Sequence, residues 1–296
     1  MAKKRLGGVI AAIATPIDGQ GAPDVEQFTR LARYLLDNGC DGLNVLGTTG
    51  EATSFSLRQR SALMEAVAES GLPLDRLMGG TGAASVDEAA ELTRLAGEIG
   101  FSGALMLPPF YYKDVTHGGL VRYFASVLAA ARQPIPIYLY NFPALSGVRY
   151  DVELIRRLLA EFGDRFAGLK DSSGDMDYAR SVAEIAPQFD VFPSNEATLA
   201  EARGGIFAGC ISATANVNAA FCARSLHQTD DAALKTAVSI RQLFTGMNLV
   251  AGVKALLSHI HNEPQLARPL APLVEIDKQD KERLFAAYDE CASAAG

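Results

Sequence analysis

The chain has 296 residues, a formal net charge of −7 and 49% hydrophobic residues. The acidic balance argues against a nucleic-acid partner, which needs a basic face, and no apolar run reaches the ~20 residues that span a bilayer. The length suits an α/β barrel, which takes about 250 residues plus additions, and the apolar content supplies a large core.

The N-terminal run Met1-Ala2-Lys3-Lys4-Arg5 is charged but is followed by neither the apolar core nor the cleavage site of a leader, and Gly8–Ala14 reads as a first strand. A soluble cytoplasmic protein is expected. Short β-rich apolar runs then alternate with helical stretches. The expected strands are Val9–Thr15, Gly42–Gly47, Leu77–Gly80, Gly103–Leu107, Pro136–Tyr140, Phe166–Lys170, Asp190–Pro193 and Gly209–Ser212. Amphipathic segments fill the gaps: Asp24–Asn38, Ser56–Ser70, Ser85–Ile99, His117–Ala131, Asp151–Phe162 and Asp175–Ala186. Ser85-Val86-Asp87-Glu88 has the form of a capping box.

Eight strands separated by helices predict a (β/α)8 barrel, since eight parallel strands close a sheet. A doubly wound open sheet would carry a Gly-x-Gly-x-x-Gly turn after its first strand, where this chain has Thr15-Pro16-Ile17-Asp18-Gly19. Helices expected at Asn218–His227, Asp231–Met247, Val250–Ile260 and Asp277–Ala294 form a C-terminal extension, giving a catalytic barrel over 1–225 and a helical domain over 226–296. The four cysteines are scattered and form no Cys-x-x-Cys pair, so they read as reduced. His259 and His261 lack a companion Glu or Cys at ligand spacing, so no metal site is expected.

Chemistry in such barrels sits at the C-terminal ends of the strands. The sixth expected strand, Phe166-Ala167-Gly168-Leu169-Lys170, ends in a lysine, and burial there favours the neutral amine that attacks carbonyl carbon. A lysine that reaches solvent or pairs with Asp171 is the alternative. The second strand ends in Gly47-Thr48-Thr49-Gly50-Glu51, a tight loop whose N–H groups and hydroxyls can hold a carboxylate, or an ordinary capped turn. The fourth runs into Pro108-Pro109-Phe110-Tyr111-Tyr112, on composition an oligomer contact. The fifth ends in Tyr140-Asn141-Phe142-Pro143, whose tyrosine is either a proton shuttle or a buried ring. Together these place an amine nucleophile, a phenol, hydroxyls and an anion cradle on one rim, a set suited to carbonyl chemistry on a small 2-oxo acid.

These motifs, with Ala14-Thr15-Pro16, Gly168-Leu169-Lys170-Asp171 and the run Gly209–Val217, occur in the order found in the dihydrodipicolinate synthase and N-acetylneuraminate lyase family. Over essentially its whole length the chain resembles these pyruvate-dependent class I aldolases. The resemblance implies a barrel with a C-terminal helical domain and a homotetramer built as a dimer of dimers. It implies Lys170 as the Schiff-base lysine, Tyr140 as the proton-moving phenol, Thr48 and Thr49 on the carboxylate, and Tyr112, with Tyr111 as the alternative, in the Thr48 relay, in some members across a subunit interface. It further implies Ile211 contributing its carbonyl, Gly47 in the anion loop, and Leu145, Asn195 and Glu196 on the second substrate. The partners implied are a small-molecule 2-oxo acid and an aldehyde, with no metal or organic cofactor.

The departures from the family pattern concern the second substrate. Synthases place a carboxylate-binding arginine where this chain has Leu145, and Arg149 lies near in sequence. Pro143–Val148 looks like the lyase branch, yet Asn195 and Glu196 stand where that branch has two acidic residues, and Ala213 replaces a serine. The expectation is a Schiff-base lyase or aldolase. Dihydrodipicolinate synthase proper, a 2-keto-3-deoxy sugar acid aldolase or dehydratase, and a non-catalytic barrel are the alternatives.

Overall fold

The computed structural model describes residues 5–132 and 134–294; the basic run at positions 1–4, and with it the start of the expected barrel domain, lies outside them. Eight strands form one parallel sheet: β1 (Gly8–Ala12), β2 (Gly42–Val45), β3 (Leu77–Gly80), β4 (Gly103–Met106), β5 (Ile137–Asn141), β6 (Phe166–Asp171), β7 (Asp190–Pro193) and β8 (Gly209–Ser212). The sheet order is β7-β6-β5-β4-β3-β2-β1-β8. The gap between its ends is bridged by Ala208, whose amide donates to the Val191 carbonyl (3.0 Å) while its own carbonyl accepts from Gly8 N (2.8 Å).

The connections are α1 (Val25–Asp37), α2 (Leu57–Glu69), α3 (Val86–Ile99), α4 (His117–Ala131), the short α5 (Pro143–Ser146), α6 (Val152–Phe162), α7 (Met176–Ala183), α8 (Leu199–Arg203) and α9 (Ala215–Gln228). The extension comprises α10 (Asp231–Gln242), α11 (Leu249–His261) and α12 (Lys278–Ser293). Side-chain caps start most of them: Asp24, Ser56, Ser85, Thr116 and Asp151 each accept an amide of the first turn. The complete reciprocal box is at Ser56 and Gln59, not at Ser85, which only accepts from Glu88 N.

Several boundaries differ from expectation for physical reasons. The first strand stops at Ala12 instead of Thr15, because the following backbone and side chains turn to other partners: Ala14 N donates to Asn216 Oδ1 and Thr15 Oγ1 to the Gly50 carbonyl. The helix expected from Asn218 begins at Ala215, and Asn218 sits at its kink with φ −132° and ψ 15°. The expected domain division after residue 225 falls inside α9, on which α10 and α11 pack.

Two apolar layers hold the barrel. Outward-facing side chains such as Val9, Leu43, Ile137 and Leu169 pack under the helices. The interior is filled by Ile10, Met78, Leu105, Tyr138, Phe192 and Ile211, with Tyr140 above them. Each fully buried aliphatic or aromatic side chain contributes about 1.5–3 kcal/mol.

The strand β6 carries an irregularity that decides where the lysine points. Ile137 pairs with Phe166, but the next residue, Tyr138, pairs with Gly168, so Ala167 is an extra residue, a β-bulge. Simple alternation from Phe166, which packs outside, puts Lys170 outside as well. The bulge shifts the phase, so that Leu169 packs outside and Lys170 turns to the interior.

Candidate active site

Lys170 and Tyr140 are direct register partners on adjacent strands, so their side chains share the interior face. Lys170 is 3% exposed, and its Nζ stands 4.2 Å from the centre of the Tyr140 ring. Tyr140 Oη and Thr48 Oγ1 lie 3.2 Å apart, within hydrogen-bonding distance. All three line a cavity of about 370 Å³ at the C-terminal end of the barrel, with Thr49, Phe142, Leu145, Ser172, Ser194 and Ala213. The extension closes the wall with Arg241 from α10 and Met247, Asn248, Leu249 and Val250 at the entry to α11.

The alternative pairing of Lys170 with Asp171 does not form, because adjacent strand residues point to opposite faces. Asp171 instead accepts from Asn141 Nδ2 (2.7 Å), Ser173 N (3.2 Å) and Ser173 Oγ (2.9 Å). Burial raises its pKa, and these hydrogen bonds offset part of that rise. Asn141 Oδ1 accepts from Tyr150 N (3.1 Å). The Asn of the Tyr-Asn-Phe-Pro run and the Asp after the lysine therefore tie β5, β6 and the following loop together, which fixes the Tyr140–Lys170 pair between them.

The loop after β2 is held in a strained form. Leu46 has φ +58° and Glu51 φ +54°, left-handed values that cost a non-glycine residue about 1–3 kcal/mol. Gly80 in β3 makes room for it: a Cβ there would lie 1.8 Å from the Leu46 carbonyl oxygen. The Glu51 carboxylate pairs with Lys254 of α11 and accepts from Leu270 N (2.5 Å).

The remaining expected residues fall into three groups. Gly47 lines a small void of about 20 Å³ behind Thr48 and Tyr140. Ile211 is fully buried in the interior layer. Tyr112 and Tyr111 are 74% and 75% exposed, their rings edge to face at 5.3 Å, and neither lines the cavity of this chain.

Asn195 and Glu196, expected on the second substrate, do not line the cavity of this chain. Asn195 accepts from Ala197 N as the cap of a short 3-10 turn. Glu196 is wholly buried, accepting from Ser212 Oγ (2.6 Å) and Thr214 Oγ1 and pairing with Arg241 Nη1 (3.2 Å). A carboxylate so enclosed needs those partners for itself. Arg149, the other candidate cation, pairs with Asp175 (3.2 Å) and stands 4.8 Å over the Tyr178 ring, away from the cavity. Arg241 and Met247–Val250 were not foreseen, since nothing in α10 or its loop distinguishes a cavity wall from an ordinary helix face.

A parallel (β/α)8 barrel with a lysine, a tyrosine and two threonines gathered at its strand ends is the architecture of a strand-end enzyme site. Residues 5–289 match the model of the dihydrodipicolinate synthetase family, and the chain belongs to that family of lyases and aldolases. It is 33% identical over 290 residues to a DapA-like lyase of Chloroflexus aurantiacus, covering 95% of this chain and 96% of the relative. A 4-hydroxy-tetrahydrodipicolinate synthase of Hydrogenobaculum is 35% identical over 191 residues, 64% of each chain. The crystal structure of dihydrodipicolinate synthase from Agrobacterium tumefaciens superposes with a TM-score of 0.90 at 29% identity, covering 96% of this chain and 99% of that one. Among the described residues, no helix is long and apolar enough to cross a membrane, and no group of three or more His, Cys, Asp or Glu is placed to hold a metal ion.

Proposed function

We propose that the protein is a Schiff-base lyase that makes or breaks a carbon–carbon bond between pyruvate, or a related 2-oxo acid, and an aldehyde. The observation that carries this reading is the direct opposition of Lys170 and Tyr140 on β6 and β5, with Thr48 at 3.2 Å from the phenol, in one cavity.

In the synthetic direction Lys170 Nζ adds to C2 of the oxo acid, and water leaves as the carbinolamine becomes a protonated imine. Loss of a proton from C3 gives the enamine. Its carbon forms a bond to the aldehyde carbon while the aldehyde oxygen takes up a proton, and water then releases the product and restores the amine. Tyr140 carries the protons at each step and exchanges them with Thr48. Thr49 and the amides of the loop from Gly47 hold the carboxylate. Ile211 offers its carbonyl beside the reacting centre. The sequence of steps draws on no metal or organic cofactor.

The exposed Tyr111–Tyr112 pair supports a homo-oligomer, a tetramer built from dimers, in which Tyr112 enters the relay of a neighbouring copy. A cytoplasmic location is supported by the free thiols of Cys40, Cys210, Cys222 and Cys291. Burial pushes the Cys40 thiol up to about 12, which keeps it unreactive.

Borohydride reduction in the presence of pyruvate, followed by peptide mass analysis, tests the reading. The expected result is a reduced pyruvyl adduct on Lys170 that is lost in Lys170→Ala. An unmodified Lys170 with pyruvate in excess refutes it.

A further inference from the structure

The far end of the cavity carries information about the second substrate. Six of its lining side chains are apolar: Phe142 and Leu145 after β5, Ala213 after β8, and Met247, Leu249 and Val250 before and within α11. Leu145 is 62% exposed in this chain, an apolar side chain held at a mouth where nothing in the fold buries it.

The charge of the cavity's outer cation is already balanced, and the cap at its wall is in use. Among the described residues lining the cavity, the cations are Lys170 and Arg241. Arg241 Nη1 contacts Glu196 Oε2 (3.2 Å), Ser212 Oγ (3.3 Å) and Thr214 Oγ1 (3.3 Å). The Glu196 carboxylate is buried and takes its compensating charge from Arg241, so the pair presents no net charge to a ligand. Asn248 Oδ1 accepts from Ala251 N (3.1 Å) as the cap of α11. Arg149 is engaged with Asp175 and Tyr178 and does not line the cavity.

We infer that the aldehyde partner has an uncharged, predominantly apolar body, aliphatic or aromatic, rather than a second carboxylate, a phosphate or a chain of hydroxyls. This rests on the Schiff-base reading above and specifies its second substrate. An anionic tail would be desolvated against Leu145, Met247 and Val250, with Arg241 as the one outer cation among the described lining residues and its charge already balanced by Glu196. A polyhydroxylated tail would find mainly Ser172, Ser194 and the Asn248 amide nitrogen for its several donors and acceptors. An apolar tail loses nothing in the same place and gains the burial of its surface.

The test is a panel of four aldehydes with pyruvate and the full-length enzyme. Benzaldehyde and isobutyraldehyde represent the apolar class, glyceraldehyde the hydroxylated class, and succinic semialdehyde the anionic class. Aldol product is quantified by mass spectrometry, with borohydride trapping of pyruvate on Lys170 run in parallel. The expected result is a kcat/KM for an apolar aldehyde at least about tenfold above both other classes. Equal rates, a preference for either polar class, or no condensation with any aldehyde overturns the inference when trapping persists. Failed trapping removes the Schiff-base reading itself, and this assignment falls with it. Leu145→Arg should raise the ratio of succinic semialdehyde to benzaldehyde turnover by about tenfold or more, and an unchanged ratio counts against the wall as the determinant.

Discussion

Glu51, in the loop that carries Thr48 and Thr49, forms an ion pair with Lys254, 203 residues further along in α11, and both side chains are almost completely hidden from solvent. Lys254 also donates to the Arg268 carbonyl (2.8 Å). The strained loop after β2 is thus anchored to the C-terminal extension. Burial lowers the Lys254 pKa, and the Glu51 charge opposes that shift. Removing one partner leaves an uncompensated buried charge, so Lys254→Met should destabilise the protein by about 3–5 kcal/mol in urea unfolding. The double variant Glu51→Gln, Lys254→Met should recover most of that loss. Equal destabilisation of the single and double variants would show that the pair does not act as a unit.

Tyr140 packs through its ring, and in the proposed mechanism it acts through its hydroxyl. Tyr140→Phe should therefore keep the unfolding midpoint close to wild type while turnover falls roughly a hundred- to ten-thousand-fold. Thr48→Val should lower turnover in the same direction without abolishing pyruvate trapping. A Tyr140→Phe enzyme with wild-type turnover would remove the phenol from the mechanism.

Gly80 links a backbone requirement to the site. The Cβ of an alanine there would stand 1.8 Å from the Leu46 carbonyl, and the neighbour is backbone that must move. Gly80→Ala should cost about 1–3 kcal/mol of stability. Because the moved segment carries Thr48 and Thr49, kcat/KM should also drop by about a hundredfold. Gly19→Ala, where a Cβ meets nothing, serves as the neutral comparison.

His261 gives the fold a pH dependence. Its ring packs edge-on to Tyr34 at 4.6 Å, and burial lowers its pKa below the ordinary 6.5 despite the opposing charge of Glu263. Below pH 6.5 the unfolded chain takes up a proton that the folded chain resists, so this contribution to stability is full above that pH and shrinks as the pH falls through it. Thermal midpoints between pH 7.5 and 5.5, ~1 unit on either side of the unperturbed value, should fall less steeply in His261→Gln than in the wild type. Parallel slopes would assign the acid sensitivity to other groups.

Much of this architecture was legible in the sequence because period carries it. β3, β7, β8 and α4 occupy the expected residues, and the strand-end placement of Lys170 and Tyr140 follows from where those runs stop. Contacts across long separations were not legible. The motif around Asn195 and Glu196 reads as substrate-facing, but the direction of the Glu196 side chain is set by Arg241, 45 residues away, and by the hydroxyls of Ser212 at the end of β8 and Thr214 just beyond it. Ser56 and Ser85 have similar cap patterns, and only the geometry at Ser56 completes the reciprocal bond. Arg241 carries no local signal, since its place in the cavity wall depends on how α10 lies over the barrel.

Ala167 has no reactive group, yet the identity of the inward-facing residue depends on its being left out of the pairing. With Ala167 kept but β6 paired without its bulge, the alternation downstream inverts: Asp171 would occupy the inward station and Lys170 would face the helices. Counting residues from the start of the strand therefore misassigns the reactive position by one. Grafting the run from Phe166 to Lys170 onto another eight-stranded scaffold requires carrying the irregular pairing along with it; paired regularly from Phe166, the lysine would arrive on the wrong side of the wall.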